Sequence, residues 1–292
     1  MSPGGRAEAA RLRRVIAGIE AKAGDSSADR AARPAPAPLA RALDPALGGG
    51  LAADGLHEIV PASAQDGAAA LAFALALAAR FLDRRPASAL LIGERFASLE
   101  HGALYGPGLA AHGLPLSRLV FVSAPDALAA FWAAEEALKS GAPAAVVAEI
   151  WDSRRYGLMA SRRLLLAARK GGTPALVVLA GAPGQADALS TAAATRFEIA
   201  AAPSARRPAV AGRDLPGPFA CAARLVKARR EGGLGEAALQ PGRGGPETLH
   251  AGPSRAVRLE WRYEERTFDE PAISFALAAE AHDRPRAAPG RR

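Results

Sequence analysis

The sequence predicts an α/β protein: a mostly parallel central sheet with helices on both faces, extended by antiparallel strands at its C-terminal end. Three observations predict it. Short apolar runs recur between Leu51 and Ala202, stretches of helical periodicity separate them, and strict alternation replaces both in the last third of the chain. Uninterrupted apolar strands are those covered on both faces. Strands joined through helices of ten or more residues pair in parallel with right-handed crossovers.

The elements follow in chain order. Ala7–Ala23 predicts a short amphipathic helix, with Leu12, Val15, Ile16 and Ile19 at helical spacing and Gly24 at its end. Asp25–Pro38 turns from polar to Pro/Ala-rich and predicts a linker over 25–50. Strands are predicted at Leu56–Val60, Ala89–Ile92, Leu119–Val122, Ala144–Ile150, Ala175–Leu179 and Thr195–Ile199. Helices are predicted at Ala68–Phe81, around Tyr105–Ala111, at Ala127–Lys139 with Phe131, Trp132 and Leu138, and at Arg155–Arg169. Residues 51–204 form the core on this reading. In 205–271, Phe219–Ala228 and Ala256–Tyr263 alternate as half-buried strands around a Gly/Pro-rich loop. In 272–292, Ala272–Glu280 predicts a short partner-binding helix, and the basic end after it is expected to be disordered.

Composition narrows the function. Half of the 292 residues are hydrophobic, enough for a sizeable core, although alanine supplies much of that fraction and buries little area per residue. The single cysteine, Cys221, excludes an intrachain disulfide and any multi-cysteine zinc site. A formal charge of +8 favours an acidic partner such as nucleic acid, or reflects a proteome rich in Arg and Ala. The first residues lack a secretory pattern, and the longest apolar stretch, Gly67–Ala79, is short for a bilayer span. A cytoplasmic protein without a membrane partner is the expectation.

The chemistry turns on the loop after the first core strand, where a doubly wound sheet holds phosphates at a helix N-terminus. A nucleotide-hydrolysing loop needs glycines, a lysine for the β and γ phosphates and a hydroxyl for magnesium. Pro61–Ala69 offers Gly67, but Ala68 stands where the lysine belongs and Ala69 where the hydroxyl belongs, while Asp66 adds the wrong sign. Glu149, at the end of a later strand, is either a relic or analogue of a magnesium-ordering carboxylate, or a cap or salt-bridge partner. The five histidines show no metal spacing, no GxSxG elbow is present, and Cys221 sits in a strand where a buried inert thiol is usual. No catalytic site, cofactor or metal is expected. Arg154 and Arg155 follow the fourth strand, Arg162 and Arg163 lie on the next helix, and Lys227, Arg229 and Arg230 cluster beside the flexible loop. These seven are the candidate nucleic-acid or partner contacts, with the solvated face of a helix as the alternative for Arg162 and Arg163.

The pattern resembles a known group. LHEI with a glycine-bearing turn and an apolar helix looks like the opening of the recombinase ATPase core, and YGPGLAAHGLPLSRLVFV (Tyr105–Val122) like the segment ahead of its next strand. RRYGLMASRRLLLAARKGGTPALVVL (Arg154–Leu179) and AATRFEIAAAPS (Ala193–Ser204) resemble the ImuA family, and ARLVKARREGG with VRLEW matches its C-terminal half in character. The resemblance covers about Leu51–Trp261. It implies a RecA-like three-layer sandwich with a degenerate phosphate loop, in which Gly67, Ala68 and Ala69 are the vestigial loop and Glu149 marks the old magnesium-binding strand. It also implies a non-hydrolysing accessory protein of SOS mutagenesis and translesion synthesis. The implied partners are an inactive Y-family-like polymerase homologue, an alternative replicative-type DNA polymerase and the RecA recombinase, with DNA contact and self-association as further expectations. The implied location is the cytoplasm, at the nucleoid during DNA damage. A recombinase-like ATP-binding protein and a SulA-like division inhibitor are the alternatives.

Overall fold

The computed structural model describes residues 34–204, 217–229 and 256–270. The predicted N-terminal helix, the 25–33 part of the linker, Arg230, the 231–255 loop and the 272–292 tail lie outside the described residues.

Among the described residues, nine strands form one sheet in the order β3-β2-β4-β5-β1-β6-β7-β8-β9. They are β1 (Leu56–Pro61), β2 (Ala89–Glu94), β3 (Leu119–Ala124), β4 (Ala145–Ile150), β5 (Ala175–Leu179), β6 (Thr195–Ala201), β7 (Ala220–Ala228), β8 (Val257–Arg262) and β9 (Thr267–Asp269). β1 to β6 pair in parallel. β7, β8 and β9 join in antiparallel order, with a bulge opposite Arg196 and Phe197 where β7 takes one extra residue. β1, β4 and β5 are buried along their whole length; β5 reads as an unbroken apolar run, while β1 and β4 also bury His57, Glu58 and Glu149. The fold is of the α/β class, a mostly parallel sheet with an antiparallel C-terminal extension.

Six α-helices among the described residues complete the layers: α1 (Asp44–Leu47), α2 (Gly67–Arg84), α3 (Arg95–His101), α4 (Gly106–Ala111), α5 (Ala127–Ser140) and α6 (Leu158–Gly171). α2 packs on one face of the sheet and α5 and α6 on the other, so the apolar residues divide into two clusters. α5 opens on Asp126, whose carboxylate accepts the Ala129 N–H at 2.9 Å, and ends at Gly141 in the left-handed region. The end of α6 crosses the end of α5 so closely that a Cβ on Gly171 would collide with the Leu138 carbonyl oxygen.

α2 is apolar almost all round, and such a helix needs cover on every side. Together with the single turn before it, Ala64–Arg84 spans 21 residues and is long and apolar enough to cross a membrane by length and composition. Here it is the central core helix. The sheet curls so that β8 and β9 reach over it: Phe73 meets Phe197 and Phe268 at ring-centroid distances of 5.5 and 5.4 Å, and Trp261 meets Phe268 at 4.8 Å. The Trp261 indole donates to the His112 carbonyl at 3.0 Å, while a nitrogen of the His112 ring lies 2.9 Å from the Ala72 carbonyl oxygen.

Three sequence expectations need correction. Residues 34–50 do not behave as a linker: Ala37, Leu39, Ala40 and Leu43 are buried, and Ala37 exchanges backbone hydrogen bonds with Leu51. The apolar end of α2 requires that cover, and Arg84 donates to the Ala35 carbonyl at 2.8 Å. The helix expected from Arg155 starts at Leu158, because Ser153–Arg155 forms a single 3-10 turn and Gly157 is extended. The helix expected to stop at Phe81 runs to Arg84. α1, α3 and β9 are additions to the predicted elements; each is seven residues or fewer, too short to show periodicity.

Candidate functional site

The turn read from the sequence as a vestigial phosphate loop lies at the C-terminal end of β1, where a doubly wound sheet places an anion. Ala62 donates its N–H to the Ile199 carbonyl at 2.8 Å, and Gly184 donates to the Pro61 carbonyl at 2.9 Å. Ala64–Asp66 then forms a 3-10 turn leading directly into α2. The Asp66 carboxylate accepts the Ser63 hydroxyl at 2.6 Å and the Ala201 N–H at 2.8 Å. A fixed negative charge therefore ties the turn to β6 at the helix entrance. Gly67 has φ −53°, an ordinary helical value, so its glycine is not needed for the turn. Ala68 is exposed and Ala69 buried, and Pro61–Ala69 contains no cation.

Glu149 is buried at the end of β4, in register with Gly93 of β2. It lines a mainly apolar cavity of about 230 Å³ together with Ala68, Leu71, Gly93, Tyr105 and Phe121. Glu94 ends β2 and accepts the N–H groups of Trp151 and Asp152 at 2.8 and 3.3 Å. Burial raises its pKa, and those two bonds oppose the rise. Glu94 is absent from the sequence-predicted site residues; its signal is a carboxylate closing an otherwise apolar strand. Among the described residues, no group of three or more His, Cys, Asp or Glu side chains is arranged to hold a metal.

A buried polar network lies on the other face of β1. The Glu58 carboxylate accepts from Arg196 Nε at 2.6 Å and from the Tyr156 hydroxyl at 2.7 Å. Arg196 also donates to the carbonyls of Ala186 and Leu189 and to the Thr191 hydroxyl, so a nearly inaccessible ion pair is surrounded by partners. Burial, then the Glu58 charge, pushes the Tyr156 hydroxyl well above its usual range. On β1's other side His57 lies fully buried, its ring nitrogens 2.8 Å from Thr195 Oγ1 and from the Ala52 carbonyl. Burial lowers its pKa to about 4. It is a structural neutral imidazole. Burial likewise pushes the Cys221 thiol up to about 12.

The described cationic candidates fall on one face of the sheet. Arg154 and Arg155 share one carboxylate, that of Asp152, at 2.9 and 3.7 Å. Arg162 is exposed on α6, and Arg163 reaches across to Glu135 of α5 at 2.5 Å. Lys227 is half-buried and donates to the Thr191 carbonyl at 2.7 Å; burial, then Arg229, lowers its pKa to about 8. Its ammonium thus holds the 186–192 stretch against β7. That stretch also meets α6, since Ala192 donates its N–H to Ser161 Oγ at 2.9 Å. Arg229 is exposed beside it. The cations are accompanied by exposed apolar side chains that helical periodicity alone does not distinguish from core: Leu128 and Trp132 on α5, and Leu158, Met159 and Leu166 on α6.

No protein-family model matches the chain. It is 34% identical over 169 residues to Protein ImuA of Caulobacter vibrioides, in both strain NA1000 / CB15N and strain ATCC 19089 / CIP 103742 / CB 15. The match covers 55% of this chain and 66% of those relatives, just under two thirds of their length. Among solved structures, the RadB recombinase aligns with 80% of this chain and 98% of its own at 16% identity and a TM-score of 0.44. SulA from Pseudomonas aeruginosa aligns with 42% of this chain and 96% of its own at 23% identity and a TM-score of 0.34. On the curated sequence match, the chain is similar to Protein ImuA over that stretch.

Proposed function

We propose that this protein is a non-catalytic, RecA-like accessory factor of damage-induced mutagenesis. It supports translesion DNA synthesis by bringing together an inactive Y-family-like polymerase homologue, an alternative replicative-type DNA polymerase and the RecA recombinase. It works in the cytoplasm, at the nucleoid during DNA damage. The observation that carries the reading is the β1–α2 turn. It has Ala68 and Ala69 in place of the cation and the hydroxyl, and its helix entrance is held by the Asp66 carboxylate. A triphosphate placed there would meet a like charge and no local lysine to offset it. Without hydrolysis, what the fold offers is surface, and the cationic face with Arg154, Arg155, Arg162 and Arg163 is the part available to partners. Lys227 and Arg229 border that face, and Arg230 follows them in the sequence.

Two measurements test this reading. The purified full chain is expected to capture the polymerase homologue or the recombinase, and to bind no magnesium–ATP in equilibrium dialysis. Capture of none of the three partners by folded protein overturns the adaptor reading. Tight magnesium–ATP binding revives the ATP-binding alternative, and capture of a septum protein instead favours the division-inhibitor alternative.

A further inference from the structure

The seam between α5 and α6 has a composition that a solvated helix pair does not need. The Arg163–Glu135 ion pair spans it and so identifies which flank of each helix borders it. Residues three, four or seven apart share a helical flank. Trp132 and Leu128 precede Glu135 by three and seven positions. Met159 precedes Arg163 by four, and Leu166 follows it by three. These four apolar side chains therefore line the two walls of the seam. All are more than half exposed, Trp132 at 66% and Met159 at 75%. The cations come from α6, and the carboxylate that faces them across the seam is already paired. α6 carries four cations and no carboxylate, and Glu135 is already shared by Arg163 and Lys139.

Resting on the adaptor reading above, we propose that this seam is the docking groove for an amphipathic helix of a partner protein, with apolar side chains on one edge and carboxylates beside them. Each helix is 14 residues, about 21 Å long, which matches four turns of a bound helix. The apolar edge settles between Trp132 and Met159, and the carboxylates meet Arg162 and Arg163. Tryptophan and arginine side by side are the side chains that dominate protein interfaces. A phosphate backbone would use the cations and leave the apolar walls wet. A second copy would bring the same sign of charge to the seam.

The test is hydrogen–deuterium exchange on the full chain, alone and with each of four probes: the polymerase homologue, the replicative-type polymerase, the recombinase and a 30-nucleotide oligo(dT). The double variant Trp132→Ala/Met159→Ala is measured beside it. The expected result is slowed exchange in Ala127–Ser140 and Leu158–Gly171 with one protein partner. The double variant then loses at least about tenfold in affinity for that partner while keeping the wild-type melting temperature. A partner that binds without slowing exchange there, and binds the variant equally well, overturns the groove and leaves the adaptor reading standing. Capture of no protein partner overturns the adaptor reading and, with it, the occupant named here. Protection by oligo(dT) alone, lost steeply with salt, makes the surface a nucleic-acid contact instead. A change in oligomeric state between wild type and variant makes it a self-association surface.

Discussion

The two faces of the sheet solve the same problem in opposite ways. On one face α2 is apolar almost all round, and distant parts of the chain close over it: residues 34–50, the β8–β9 ribbon and the turn at His112. On the other, α5 and α6 bury their inner sides and leave Trp132, Met159 and other large apolar groups in water. The difference teaches where each face spends its apolar surface. The α2 face uses it for stability, and the α5–α6 face leaves part of it exposed.

Truncations on the two faces should therefore differ most. Phe73→Ala removes a ring that touches Phe197 and Phe268, and is expected to destabilise the protein by about 3–5 kcal/mol in urea unfolding. If both faces carried equal stability, Trp132→Ala would cost as much. Glu58→Gln leaves the buried Arg196 guanidinium without its counter-charge, and a loss of about 3 kcal/mol is expected by the same measurement.

A pH series sharpens the same contrast through His57. Its folded pKa of about 4 lies below the ordinary 6.5, so between those values the unfolded chain binds more protons. The contribution is complete above pH 6.5 and is lost as the pH falls towards 4, up to about 3 kcal/mol for full burial. His57→Gln should flatten the slope of stability against pH between 6.5 and 5; an unchanged slope would remove His57 as its source. Asp126→Ala, which deletes the α5 cap, is expected to cost about 1 kcal/mol. Smallest of all, Trp132→Ala should change stability by no more than about 0.5 kcal/mol. A larger loss would mean that Trp132 is covered within the chain itself, which would break the comparison outright.

Much of the fold is legible in the residues themselves. The strands at Ala89, Ala145 and Ala175 stand out because two-sided burial leaves few polar residues in a strand, and the largely exposed edge strand at Leu119 stands out by its β-branched and aromatic residues. The alternation of Val257, Leu259 and Trp261 marks the antiparallel extension in the same way. Side-chain roles are harder. Asp66 reads as a charge of the wrong sign for a phosphate loop, and in the fold it anchors the turn on β6. Trp132 stands beside Phe131 in the predicted helix, and because neighbours in a helix point about 100° apart, the step from one to the other leads from the buried flank to the open one. Lys227 reads as part of a basic cluster, but its position opposite Arg196 on the bulged strand pair turns it to the Thr191 carbonyl.

The sequence by itself determined the order and type of most elements and the absence of a lysine and a hydroxyl at Ala68 and Ala69, because periodicity and residue identity are local. Only the tertiary structure decided which apolar surface is covered. The cover of α2 comes from residues as far away as Phe268, brought back by the curl of the sheet, and no local pattern encodes a contact across nearly two hundred residues. The same holds for the seam of α5 and α6: its walls belong to two helices, and only their packing places Trp132 and Met159 on either side of one ion pair.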